Sequence, residues 1–192
     1  QPCSSAASDV YKRQVLNKYA ADQSVDLRGG VLTPGLMDGH AHLIGYADGL
    51  LEANLFGTTS WEDAVERVVQ QQAEWPSEWA VGRGWDQNDW DSQAFPDRAL
   101  LDATFPDQPV ALERIDGHAL IVNGEALRRA GLLSGAVPVV EGGEVMLDAG
   151  GVPTGVLIDN ACGLVSSIIP PHPEPRRLEA LMEAQANLLA HG

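Results

Sequence analysis

The sequence predicts an α/β fold in which one strand and two helices are followed by an inserted α+β subdomain and then by a further helix. Three observations carry this expectation. A Pro-Gly pair opens an apolar run at Leu36 to His42, and apolar residues then recur at helical spacing. After Pro76, short apolar runs divided by Gly, Pro and Asp replace the helical pattern. A chain of 192 residues is long enough to bury an ordinary core.

Each element has a local reason. The first 14 residues, QPCSSAASDVYKRQ, lack the apolar centre of a signal peptide and read as a non-native leader outside the fold. Within residues 15–35 a short extended piece turns at Gly29 and Gly30. Pro34 and Gly35 then introduce the candidate strand, Leu36 to His42. Leu43, Tyr46, Ala47, Leu50, Leu51 and Leu55 predict a helix that Gly57 closes. Ser60 caps a second helix, with Asp63 in its first turn and Trp61, Val65, Val68 and Val69 on one face, so that residues 36–75 form one strand-helix-helix segment. In residues 76–170, short strands are expected at Trp79 to Gly84, Pro109 to Ile115, Ala119 to Val122, Glu144 to Leu147 and Thr154 to Ile158. One helix, Glu125 to Ala130, interrupts them, capped by Asn123 and stopped by Gly131. In residues 171–192, Leu178, Leu181, Met182, Gln185, Leu188 and Leu189 mark one face of a last helix, which ends like an αβ junction whose strand is missing.

Composition excludes some roles. A net charge of −15 repels nucleic acid and anionic membrane surfaces, both of which are bound through clustered Lys and Arg. No apolar run approaches the roughly 20 residues of a membrane span. Cys3 and Cys162 are too few and too far apart for a zinc cluster or a redox pair, so a reducing, cytoplasmic setting is the default and Cys162 reads as a small buried side chain.

The residues with chemistry sit at the end of the candidate strand. His40 and His42 are one residue apart, so on a strand both imidazoles project to one face and can reach the same divalent ion, zinc by preference. Asp38 lies one step earlier on that face and reads as a hydrogen-bond partner of the histidines rather than a ligand. The bare His-x-His triplet is weakly specific; its place after a Pro-Gly turn and an apolar strand, where an α/β barrel presents its active-site groups, strengthens it.

The stretch LTPGLMDGHAHL, from Leu32 to Leu43, resembles the first barrel strand of the amidohydrolase superfamily. The likeness continues through Gly82 to Gln87 (GRGWDQ), Pro109 to Ala119 (PVALERIDGHA), Asn123 to Gly131 (NGEALRRAG) and Pro153 to Ala161 (PTGVLIDNA). Together these are similar to the YtcJ-like, or amidohydrolase 3, group, which includes enzymes similar to N-substituted formamide deformylase. The resemblance implies a (β/α)8 barrel, a small β-sandwich to which residues 15–35 would belong, and an insertion after the first barrel strand. It makes His40 and His42 the first metal ligands, with the remaining ligands and the catalytic base on later strands. A complete barrel takes about 250 residues, so the chain is expected to hold a partial barrel, cut short at its C-terminal side and inactive alone. The implied chemistry is metal-assisted hydrolysis of a carbon-nitrogen bond other than a peptide bond, in a small amide or formamide substrate.

Other residues are substrate-contact candidates. Arg114, Asp116 and His118 alternate, so a strand there would put all three on one face, with Arg114 pairing Asp116. A structural ion pair on a solvated face is the competing reading. Trp85 and Asp86 follow Gly84 at a strand end, where they would line a cleft, or else serve as core and turn residues. Asp159 and Asn160, after a strand, read as a turn or helix cap, with a pocket carboxylate as the competing reading. Two rivals to the hydrolase reading stand: a phosphoesterase of the PHP type, which also opens with Asp-x-His-x-His, and a non-catalytic fragment or binding module.

Overall fold

The computed structural model describes residues 13–15, 17–20, 22, 23 and 25–191, so most of the expected leader, with Cys3, lies outside them. The chain divides into two compact units, Gln1–Asp38 and Gly39–Gly192. In the first, Gly30 N–H bonds to Leu27 C=O at 2.8 Å across a turn in which Gly29 has φ +84°, the turn expected from the glycine pair.

The second unit is built on one six-stranded mixed sheet, flanked by helices. Its strands are β1 (Ala53–Asn54), β2 (Ala80–Trp85), β3 (Val110–Arg114), β4 (Ala119–Val122), β5 (Gly143–Leu147) and β6 (Pro153–Asp159), in the order β1-β2-β3-β4-β6-β5. The β1-β2-β3 half is parallel and the remainder antiparallel. The helices are α1 (Leu43–Gly49), α2 (Trp61–Glu74), α3 (Ala99–Thr104), α4 (Gly124–Arg129), α5 (Gly163–Ser166) and α6 (Glu174–Ala190).

Period-2 alternation sorts the sheet residues into two cores. Leu55, Ala80, Val110, Leu112, Ile121 and Val156 pack on one side with Val65 and Val68 of α2, Leu101 of α3, Trp85 and Trp90. On the other, Ala111, Leu120, Val122 and Leu157 pack with Leu127 of α4 and Val165 of α5. Gly84, at φ +101°, sits at the register shift between Arg83 and Trp85, where a Cβ would press into the Phe56 ring.

Capping residues work as their spacing predicts. Ser60 Oγ accepts from Asp63 N–H at 3.0 Å at the start of α2. Asn123 is fully buried and does more than cap α4. Its Oδ1 accepts from Ala126 N–H and Val110 N–H, both at 3.0 Å, while Nδ2 donates to the carbonyls of Phe105 and Gln108 at 2.9 and 2.8 Å.

Three expectations fail. Residues 36–42 form no strand; they are irregular and exposed. A strand needs a neighbouring strand for its N–H and C=O groups, and none of the sheet's ladders includes this run. Second, the helix expected through Leu55 stops at Gly49. Leu51, Ala53 and Leu55 are buried alternately, because the chain there runs parallel to β2 and Leu55 N–H bonds to Arg83 C=O at 2.9 Å. Leucines four apart fit a strand as well as a helix. Third, α6 buries Ala180 and Ala184 against Ala47 and Leu51, while Leu178, Met182, Leu188 and Leu189 are exposed. The small side chains let two helices approach closely, and Arg177 pins the contact with paired bonds to Asp48, both at 2.8 Å, which hold the Asp48 carboxyl below its ordinary range.

Candidate functional site

His42 is the residue preceding α1, and its carbonyl accepts from Tyr46 N–H at 2.9 Å. The start of that helix therefore sets the backbone beneath its ring. His40 lies in the bend just before, and both residues are exposed. Strand alternation does not bring the imidazoles together; the bend does. Their ring centres are 5.2 Å apart, with planes inclined at 79°.

That spacing can be compared with what one ion requires. With Zn–N bonds of roughly 2.0–2.1 Å and a tetrahedral angle between them, two imidazole ring centres fall about 5 Å apart. The donor set, two neutral nitrogens on an accessible bend, fits a divalent transition metal. Among the described residues, no group of three or more His, Cys, Asp and Glu side chains converges on one point. Asp38, exposed, closes the first compact unit.

A second polar group lies at one end of the sheet, where β2 and β3 finish and β4 begins. Arg114 ends β3 and reaches Asp116 Oδ2 at 2.9 Å, the pairing expected, and Asp86 Oδ1 at 3.5 Å. Its guanidinium also lies 5.8 Å from the Phe95 ring centre. Asp116 and His118 lie in the gap between the two expected strands, so strand alternation does not put them on one face with Arg114. They occupy the β3-β4 turn, where Asp116 Oδ1 accepts from His118 N–H at 3.0 Å. Residues Asp-Gly in this position favour a turn over continued pairing.

His118 and Asp159 hold each other reciprocally. The His118 ring nitrogen Nδ1 lies 2.8 Å from Asp159 Oδ1, and Asp159 N–H donates to the His118 carbonyl at 2.9 Å. The contact orients the ring, with Nδ1 toward Asp159 and Nε2 turned away from it. Asp159 has φ +48° and ψ −123°, a conformation non-glycine residues rarely adopt, which costs on the order of 1–3 kcal/mol. The sequence named both residues, but not their pairing across 41 positions.

The expected cleft role of Trp85 is corrected. Its side chain is 0% exposed, its Nε1–H donates to Leu112 C=O at 2.8 Å, and its ring stacks on Trp90 at 6.0 Å. The bulge at Gly84 turns it into the core. Asp86, next in the chain, caps a 3-10 turn by accepting from Asn88 N–H at 3.0 Å while facing Arg114. Cys162 is half-buried, and burial pushes its thiol upward, as suits an inert side chain.

Comparison with known proteins decides the lineage. The amidohydrolase family pattern matches residues 23–192. This chain belongs to the amidohydrolase family. It is 36% identical over 170 residues to YtcJ of Bacillus subtilis (strain 168), named as an amidohydrolase, covering 87% of this chain and 32% of that one. It is 28% identical over 159 residues to the N-substituted formamide deformylase of Arthrobacter pascens, covering 80% of this chain and 29% of that enzyme. Among solved structures, a metal-dependent hydrolase from Pyrococcus furiosus superposes with a TM-score of 0.56 at 26% identity, over 82% of this chain and 30% of that one. The chain spans about a third of the length of these relatives.

Proposed function

We propose that this chain carries the first two metal ligands, His40 and His42, of a metal-dependent hydrolase that cleaves a non-peptide carbon-nitrogen bond of the amide or formamide type, within a (β/α)8 barrel that the relatives' greater length would complete. The carrying observation is the 5.2 Å spacing of the two rings in a chain whose family and solved neighbour are hydrolases. A divalent ion, zinc by preference, supplies an acidified water and a polarised carbonyl when bound.

The chain's own residues do the rest of what is proposed here. His40 and His42 contribute neutral nitrogen donors from a bend that α1 anchors. Asp38 is proposed as a hydrogen-bond partner that orients the imidazoles. At the sheet end, Asp86, Asp116 and His118 are proposed to contact the substrate, with Arg114 holding both carboxylates and Asp159 fixing the orientation of the His118 ring. Two imidazoles leave an ion under-coordinated, so the chain alone is expected to bind metal weakly and to catalyse nothing.

Cobalt titration followed by visible absorption tests the ligands. His40→Ala and His42→Ala should each reduce binding and together abolish it, while His118→Ala leaves it intact. Binding that ignores the double variant refutes the ligand assignment. In a protein extended to the length of the relatives, N-formyl amines should be hydrolysed and aryl phosphates not; the reverse would establish the phosphoesterase alternative.

A further inference from the structure

A cavity of about 630 Å³ opens against the face of the sheet that carries α4 and α5. Its floor is made of residues two apart on neighbouring strands: Val81 and Arg83 of β2, Ala111 and Glu113 of β3, and Leu120 of β4. Trp75 and Trp79, from the segment joining α2 to β2, form one wall. Glu52 closes a second side, and the Pro-rich run from Pro170 to Pro173, with His172, forms the rim. None of these residues belongs to the groups at the imidazole pair or the sheet end.

The charges in this cavity differ from those elsewhere in the molecule. Every other arginine from Gly39 onward forms an ion pair with a carboxylate. Arg83 forms none among the described residues, although the β2-β3 register sets it beside Glu113. The side chains of Glu52 and Glu113 likewise make no hydrogen bond or ion pair among the described residues. Burial pushes the Glu52 carboxyl upward, with the nearby Arg83 charge opposing the rise and those of Glu113 and Asp48 adding to it. At the rim, burial moves His172 downward, toward the neutral imidazole, so it adds no competing cation near neutral pH.

A half-open recess with apolar and aromatic walls, at which the exposed Arg83 and Glu113 and the half-buried Glu52 meet, has the make-up of a small-molecule site. Glu78 and Arg176 also line the cavity but are paired with Arg129 and Glu179, so two carboxylates and one guanidinium without an ion pair among the described residues leave the lining one positive charge short. A ligand that supplies it lets all three groups pair, whereas an anion leaves two carboxylates facing a third. We infer that the cavity binds a small organic monocation, a primary amine or amidine on an apolar body, with the cationic nitrogen between Glu52 and Glu113 and the body against Trp75 and Trp79. This site stands independently of the hydrolase reading, since it uses neither the imidazole pair nor the sheet-end group.

Benzylamine, with benzyl alcohol and benzoate as controls of similar shape, tests this on the 192-residue chain by NMR. The five tryptophans serve as internal reporters. The indole N–H signals of Trp75 and Trp79 should shift with benzylamine, while those of Trp61, Trp85 and Trp90, packed on the opposite face, stay in place. Benzyl alcohol should bind about tenfold more weakly or worse, the loss expected for hydrogen bonds to a charged group. Glu52→Gln and Glu113→Gln should each cost benzylamine a similar factor, and Arg83→Gln should leave its affinity unchanged or improved. Thermal melts of each variant separate lost binding from lost folding, and the two carboxylate variants sit on different elements, so one failing to fold leaves the other to decide. Equal or tighter binding of benzoate, shifts confined to the opposite face, or benzylamine binding indifferent to both variants would overturn the inference.

Discussion

Replacing Asn123 with Ala is the most incisive test of how this unit holds together. The side chain serves four backbone groups from a fully buried position: the N–H groups of Ala126 and Val110, and the carbonyls of Phe105 and Gln108. Losing the helix cap costs about 1 kcal/mol. Stranding the Val110 N–H adds roughly 1–3 kcal/mol, and the two carbonyls, each with a second lone pair, add about 1 kcal/mol apiece. The total is at least about 4 kcal/mol, a large part of the roughly 5–15 kcal/mol that holds a domain together. With a slope of about 2 kcal/mol/M in urea, the unfolding midpoint should fall by about 2 M. Tryptophan fluorescence reports it, since Trp61, Trp85 and Trp90 pack in the core beside β3. Asn123→Asp keeps both acceptor bonds and should sit between the wild type and the alanine variant. A shift in Asn123→Ala below about 0.5 M would show that water or local rearrangement satisfies these groups, and the reasoning about a buried hub would fail.

Other expectations follow from the same geometry. Asp159→Gly relieves the backbone at φ +48° while losing an exposed pairing with His118 worth at most about 1 kcal/mol, so its midpoint should stay level or rise; a clear drop would mean that the conformation is not strained. The Glu52 carboxyl is raised above its ordinary value of 4.5 by burial, so the folded state holds its proton more tightly and stability falls as pH rises through that raised value. Glu52→Gln should therefore melt higher than wild type at pH 8 and lose its advantage below pH about 4, a trend that thermal melts at several pH values would expose or contradict. Glu125 is held at about 2 by hydrogen bonds from Arg128 and Arg129. Its lowered value means that the stabilisation of α4 is present above pH about 4.5 and is lost as pH falls toward 2. Carbon-13 titration of its carboxyl should show that low midpoint, and Arg128→Ala together with Arg129→Ala should return it to the ordinary range.

Local rules read much of this fold from the chain. Ser60 and Asn123 were identifiable as caps because a short polar side chain ahead of an apolar-periodic run satisfies the first free N–H groups of a helix wherever that helix packs. The central strands were recognisable from β-branched and apolar runs bounded by Gly, Pro and Asp. The pairing of Arg114 with Asp116 was visible too, being local, although a turn and not a strand delivers it.

The chain by itself therefore determined the mixed α/β character, most element positions, the family and the two histidines that the family resemblance names. Tertiary structure alone decided that Leu51 to Leu55 joins a sheet, that Trp85 turns into the core, that His118 meets Asp159, and that Glu52, Arg83 and Glu113 line one cavity. The physical reason is range. Caps, turns and periodicity depend on neighbours within one or two turns of chain, whereas strand pairing and the convergence of charges depend on which distant segments come to lie side by side. No single window of sequence contains both members of such a pair.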